Sequence, residues 1–289
     1  MNTDTYKPQS SSQIMRAVQT HLGWNKTRAA FLVNFIIAII KVRTVCLTEV
    51  ATAFSGKALI ASKYKTLRRF FRFFEIDFDT FAKFLSRLIP VSPDKPWLLT
   101  IDRTNWRFGK ADINIFLLGV AYRGVAFPLL WITLNKRGNS NTSERIELIE
   151  RFVNLFGVER IQSLTADREF VGYAWFNWLI EKSIPFSIRI RNNFKVISSK
   201  GNKVSVKELF KNLRIGETRI LRGRRKVCGV YLHIIGTKLR DGSFLIVVTN
   251  SSPAEALEDY KKRWEIETLF ACLKSRGFDF ESTHITAPE

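Results

Sequence analysis

WLLTIDRTNWRFGKADINIFLLGVAYRGVAFPLLWITL, residues 97–134, holds three apolar runs in close succession. The first, Trp97 to Ile101, ends on Asp102. Ile113 to Tyr122 and Val125 to Leu134 follow, rich in the β-branched and aromatic residues that suit a pleated surface. Only Arg123-Gly124 separates these two, a short turn suited to antiparallel pairing. Asn141 with Glu144 three residues later can cap an amphipathic helix from Glu144 to Phe156. Ile161 to Ala166 then runs into Asp167, a helix is expected from about Val171 to Lys182, and Phe186 to Ile190 reads as another strand. Three strands, helix, strand, helix, strand is the order of an α/β domain.

On the N-terminal side, Ile14 to Ile89 shows helical apolar periodicity with few Gly or Pro, so an all-α region is expected over residues 1–92. Within it, Thr48 to Phe54, a break at Ser55-Gly56 and Ser62 to Phe74 read as helix, turn, helix. Lys65, Arg68, Arg69 and Arg72 recur at helical spacing beside Leu67, Phe70, Phe71 and Phe74, a pattern that fits a solvated face and a DNA-contacting face equally well. Pro90, Pro93 and Pro96 mark the passage into the α/β domain at 93–289. On the other side, residues 191–252 contain short β-like runs at Glu217 to Leu221, Val227 to Gly236 and Ser243 to Thr249, with Asp241-Gly242 as a hairpin signal. They also hold the densest basic cluster, Arg219, Arg222, Arg224, Arg225 and Lys226, and read as a β-rich insertion. Past Pro253 a long helix is expected from Ala254 to Ser275.

Charge narrows the partners. The 289 residues carry 46 Lys+Arg against 26 Asp+Glu, a formal net charge of +20, spread over the whole chain rather than along one amphipathic helix. Such self-repulsion is relieved by a bound polyanion, and nucleic acid is the leading candidate. The longest apolar run, Phe31 to Ile40, contains Asn34 and stops at Lys41, too short to span a bilayer, and so reads as a buried core helix. The opening MNTDTYKPQSSSQ lacks a basic-then-apolar signal pattern, so no membrane is expected and a cytoplasmic location is. Cys46, Cys228 and Cys272 lack CxxC spacing, and His21, His233 and His284 are isolated. Any metal must therefore be held by carboxylates, which favours magnesium or manganese.

Asp102 and Asp167 each follow an apolar strand run, where side chains at the carboxyl end of a sheet become available to a ligand. A third acid is offered by the C-terminal helix. At about 100° per residue, Tyr260, Arg263, Glu267 and Lys274 fall within an arc of roughly 60°, beside an apolar stripe of Ile266, Leu269, Phe270 and Leu273. Taken alone, this is the pattern of a surface helix with favourable Arg/Glu spacing.

The spacing Y-x2-R-x3-E-x6-K within YKKRWEIETLFACLK, residues 260–274, resembles the YREK signature of the insertion-sequence-four family of bacterial DDE transposases. Asp102 in TIDRTNW and Asp167 in LTADREF are similar to that family's two catalytic aspartates, and the resemblance covers roughly residues 45–289. It implies an RNase H-like catalytic core with a β-rich insertion, preceded by a helical N-terminal DNA-binding region. It further implies two Mg2+ or Mn2+ ions held by Asp102, Asp167 and Glu267, with Asp102 bridging them. Arg263 and Lys274 would contact DNA phosphates, Tyr260 would hydrogen-bond one, and Arg222, Arg224 and Arg225 would add DNA contacts. The implied substrates are the terminal inverted repeats and target DNA, cleaved and joined by a homodimer at the nucleoid. Relatives that pass through a DNA hairpin often use a Trp of the insertion; residues 191–252 have none, leaving Phe194, Phe210, Tyr231 and Phe244. Relatives also continue with more helices after the Glu, so the resemblance implies a C-terminally shortened copy. The competing readings are an RNase H-like nuclease that hydrolyses without joining, and a shortened transposase acting as a DNA-binding protein.

Overall fold

The computed structural model describes residues 11–92, 94–108, 111–198 and 201–282, which fall into two compact units. Pro93, His284 and most of the opening segment read for a signal lie outside the described residues. One unit is helical. It takes the described chain up to Ile89, with Arg107, Phe108, Ala111 and residues 271–282. The other comprises Pro90–Trp106 and Asp112–Phe270.

The helical unit contains α1 (Ser11–Leu22), α2 (Lys26–Val42), α3 (Leu47–Ala53), α4 (Ile60–Phe73) and α5 (Phe78–Leu88). Side chains satisfy orphan amides at the starts of α2 and α5: Asn25 accepts from the Arg28 N–H, and Asp77 from those of Asp79 and Thr80. Ala38, Val50, Ala51, Phe54 and Leu67 form one apolar cluster among α2, α3 and α4, and Val18, Leu22, Ala29 and Phe84 form a second. On α4, Leu67 is fully buried while Lys65, Arg68, Arg69 and Arg72 are exposed. The helix-turn-helix reading is observed, and the core assigned to Phe31 to Ile40 is partial, since Ile40 is exposed. Among the described residues no single helix is long and apolar enough to cross a membrane; α2 and α3 qualify only together, with a bend of 102° between them.

The α/β unit is built on a nine-stranded sheet. Its path is β3 (Val125–Thr133), β2 (Ala111–Tyr122), β1 (Trp97–Phe108), β4 (Ile161–Ala166), β5 (Phe186–Ile190), β11 (Phe244–Thr249), β10 (Val230–Lys238) and β8 (Thr218–Ile220), with β9 (Arg225–Val227) paired to β10. β2 and β3 are antiparallel around Arg123 and Gly124, both at positive φ, the backbone of a tight hairpin turn. β1, β4 and β5 are mutually parallel, connected through α6 (Thr142–Phe156) and α7 (Tyr173–Glu181). Asn141 and Glu144 close the reciprocal capping box at the start of α6. Strand order 3-2-1-4-5, a meander continued by two parallel strands, makes this an α/β, RNase H-like core.

Residues 191–252 do not stand apart from that core. β11 pairs antiparallel with β5 and carries β10 and β8 outward, so most of the β-rich segment extends the central sheet. Only β6 (Lys195–Ile197) and β7 (Lys203–Ser205) form a separate hairpin. α8 (Pro253–Lys261) packs on β10 and β11 through Ile235, Val247, Ala256, Leu257 and Tyr260.

Two expectations need correction. β1 does not stop at Asp102; it runs to Phe108 because its outer half continues beside β2 after the pairing with β4 has ended. The expected helix from Ala254 to Ser275 is broken into α8 and α9 (Trp264–Leu273). At the break, the Arg263 N–H bonds to the Tyr260 carbonyl three residues back, a tightened turn that aims the Arg263 side chain into the unit rather than along a continuing polar stripe.

Gly236, in the middle of β10, lets Phe210 lie flat on the sheet. A Cβ there would come within 2.5 Å of the buried Phe210 ring. Gly236→Ala is expected to lower stability by about 1–3 kcal/mol through overpacking, measured as a shift in the urea midpoint. Adding Phe210→Leu should recover part of that loss, and strictly additive penalties would count against the contact.

Candidate active site

The parallel register brings the two aspartates together. Ile101 pairs with Ala166, so Asp102 and Asp167 are the next residues on adjacent strands, and neighbouring strands lie about 4.8 Å apart. Both sit where the parallel pairing ends, the part of an α/β sheet that opens to ligands.

Three residues of the α8–α9 turn meet them. The Tyr260 hydroxyl donates to Asp167 Oδ1 at 3.2 Å. Arg263 reaches Asp102 Oδ2 through Nη1 at 3.3 Å and Glu267 Oε1 through Nη2 at 2.7 Å. Tyr260 and Arg263 are each only 2% exposed, so their polar ends face the acids. One guanidinium thus ties the strand acid to the helix acid, and Tyr260 adds the second strand acid. Arg189 on β5 completes the surroundings at 3.7 Å from Asp167.

Burial shapes the charges. The Asp102 carboxyl is pushed up to about 6, first by desolvation, opposed by the Arg103 backbone N–H and by Arg263, and raised further by the Glu169 and Asp167 charges. Desolvation also lifts the Tyr260 phenol to about 12, so it remains a donor. Burial works against the Arg263 cation, but Tyr260, Glu267 and the aspartates outweigh it and hold its pKa above the ordinary value. Glu265, two residues before Glu267, is a different kind of acid: desolvation raises it, and backbone N–H groups of Gly124 and Tyr122 hold it against the β2–β3 turn.

Sequence reasoning missed the support beneath the aspartates. Arg103 follows Asp102 on β1 and so projects to the opposite face. It grips Glu169 with Nε at 2.8 Å and Nη2 at 3.0 Å, and also donates to Asn114, Asn139 and the Gly138 carbonyl. Glu169 lies two residues after Asp167, so this bidentate pair clamps the segments carrying both aspartates. The buried Arg145 adds bonds to the carbonyls of Ser140 and Glu169. A signal existed in the two motifs, TIDR and ADRE, each of which places an ion-pairing residue within two positions of an Asp.

Other candidates make contacts of their own. Lys274 follows the end of α9, belongs to the helical unit and pairs with Glu281 at 2.8 Å. The single helical face expected to carry it with Tyr260, Arg263 and Glu267 is interrupted by the turn at Lys262-Arg263. Arg222 and Arg224 are exposed in the β8–β9 loop, Arg224 meeting His233, while Arg225 is half-buried in β9. Of the aromatics in 191–252, Phe210 is core, Phe194 and Phe244 are half-buried, and Tyr231 is exposed.

Three carboxylates without thiol or imidazole form a donor set suited to hard divalent cations. Among the described residues no three His, Cys, Asp or Glu side chains are already arranged to hold one ion. Arg263 supplies the positive charge shared by Asp102 and Glu267.

A meander continued by two parallel strands ending in adjacent aspartates defines an RNase H-like protein with an acidic centre. The family model described as "Transposase DDE domain" matches residues 93–289, and the chain belongs to that family. Membership supports a transposase or nuclease acting on DNA, and such domains generally use divalent metals. No curated protein matches the chain. Among solved structures, a cysteine-substituted catalytic domain of human endonuclease V is similar at 12% identity and a TM-score of 0.33, over 73% of this chain and 96% of that one.

The raised Asp102 value has a direct consequence. A carboxyl shifted from 3.8 to about 6 stabilises the fold in its protonated form below pH ~4, and that contribution is lost as pH rises through 6. At pH 8 the charged group therefore costs the metal-free fold on the order of 2–3 kcal/mol. Asp102→Asn should raise the melting temperature by several degrees at pH 8 in EDTA, and the gap should close towards pH 4. A variant that melts below the wild type at pH 8 would contradict this electrostatic account.

Proposed function

We propose that the protein is a DNA transposase of the insertion-sequence-four type, cleaving DNA at transposon ends and transferring the freed strands into target DNA. The observation that carries this reading is the Arg263-centred meeting of Asp102 and Glu267, with Asp167 tied in through Tyr260, inside a domain of the DDE family. Asp102, Asp167 and Glu267 are the catalytic residues and the ones that would hold two divalent cations, Mg2+ or Mn2+. Cations held there would supply activation of an attacking water or 3′-hydroxyl and stabilisation of the leaving oxygen.

The chain's own groups supply positioning. Arg263 and Tyr260, held by carboxylates in the free protein, are placed to trade one of those partners for a phosphate oxygen, since both kinds of acceptor suit a charge-assisted donor. The clamp between Arg103 and Glu169 holds the two strand ends in register during that exchange. Lys274, Arg222, Arg224 and Arg225 serve as phosphate contacts that fix register without reading sequence. Two ends must be processed together, which calls for a homodimer on terminal inverted repeats and target DNA in the cytoplasm, at the nucleoid.

The test is a paired-end substrate made from the DNA flanking the coding region, incubated with Mg2+ or Mn2+. Asp102→Asn, Asp167→Asn and Glu267→Gln should each reduce cleavage on the order of 10³-fold or more while leaving DNA affinity within a few-fold. Retained cleavage in any one removes that residue from the catalytic set. Hydrolysis without joined products would assign the domain to a nuclease, and binding without nicking would assign it to a DNA-binding protein.

A further inference from the structure

Two contiguous clefts lie beside the acidic centre and meet it at Arg189. The smaller, 270 Å³, is lined by Arg168, Arg189, Arg191 and Lys207 with the amides of Asn192 and Asn193. The larger, 650 Å³, shares Arg168, Arg191 and Asn193 and adds Lys195 and Lys203. Arg168 directly follows Asp167, and Arg189 approaches Asp167 at 3.7 Å, so the clefts begin where the strand acid ends.

Local structure explains why the cations crowd there. In the β6–β7 hairpin, Lys195 pairs with Ser205 and Ile197 with Lys203, which puts the two lysines on one face. Val196 and Val204 take the other face, and Val196 is buried. Arg191 and Lys207 flank this hairpin, which is held by a bond from the Lys207 N–H to the Asn192 carbonyl. Arg168, Arg191, Lys195, Lys203 and Lys207 are all exposed, and among the described residues none has a carboxylate within ion-pairing distance. The one acid lining the clefts, Glu169, is already held by Arg103 at 2.8 Å. Like charges gathered without local compensation repel one another unless an anion joins them. Their spread along two open clefts, rather than around one closed cavity, suits a chain of phosphates better than a single small anion.

We propose that these clefts are the track along which the phosphodiester backbone of a DNA strand runs to the acidic centre past Asp167, with Arg168, Arg191, Lys195, Lys203 and Lys207 as its phosphate contacts. The assignment deepens the transposase reading and rests on it for the direction of the strand, but the binding surface stands on the charge and shape alone. It is distinct from the Arg222 and Arg224 loop, which lines neither cleft.

The experiment uses the full chain and a fluorescent DNA duplex of arbitrary sequence, because phosphate contacts do not read bases. Anisotropy titrations between about 50 and 200 mM salt give the slope of log K against log salt, close to 0.9 per phosphate contact. Lys195→Gln/Lys203→Gln/Lys207→Gln, all at exposed positions, should weaken binding on the order of tenfold or more at low salt and flatten the slope by roughly 2–3. Lys182→Gln/Lys211→Gln, exposed but outside the clefts, should flatten it by much less. The proposal is overturned if the wild type shows no salt-dependent binding, if the triple variant keeps the wild-type slope, or if the control loses as much per charge. A flattened slope without metal-dependent cleavage by the wild type would keep the track and discard the transposase reading; cleavage with an unchanged slope would do the reverse.

Discussion

Arg263 is the residue on which the acidic centre depends. Three carboxylates gathered at one end of a sheet repel one another, and the cation that meets them, Arg263, is itself only 2% exposed, so water does little to weaken its pull. The guanidinium answers this with two charge-assisted bonds, to Asp102 at 3.3 Å and Glu267 at 2.7 Å. Removing the cation from such a set typically costs about 3–5 kcal/mol, because the carboxylates are left uncompensated. The α8–α9 break is part of the same arrangement. A straight helix would carry Arg263 on along a surface stripe, whereas the tightened turn drives it inward with Tyr260 beside it.

The α/β core was largely legible in the sequence. The succession of elements along the chain follows from apolar runs with clear punctuation: Arg123-Gly124 suits a tight turn, Asn141 and Glu144 announce α6, and Ile161 to Ala166 ends at a polar residue. These signals are local, acting over a few residues, so they survive without knowledge of the partner strand. What was not legible depends on long-range pairing. β1 runs past Asp102 because β2 takes over where β4 stops, and the fusion of β11 and β10 onto β5 joins segments whose own sequences say only that they are strands.

The candidate site divides along the same line. Asp102 and Asp167 stood out because each closes an apolar run that can be read locally, although β1 itself continues past Asp102, and the Tyr260, Arg263, Glu267 spacing is short enough to survive a break in its helix. Lys274 directly follows the end of α9 and bonds Glu281. Arg103 and Glu169 escaped notice because they are 66 residues apart, and each motif offers an ion-pairing residue without saying which residue it pairs with.

The arginines around the acids also resolve an apparent conflict in the chain's electrostatics. A protein of net charge +20 attracts polyanions everywhere, yet its acidic centre would repel a phosphate if its carboxylates faced outward unpaired. Arg263 and Arg189 sit directly on these acids, and Arg103 binds Glu169 behind them, so the negative charge is met close to its source. Beyond that small region the surface returns to exposed cations at Arg168 and Arg191, which have no ion pair among the described residues. Acids suited to a divalent cation and a surface suited to DNA can then coexist within a few residues of each other, with arginines as the boundary between them.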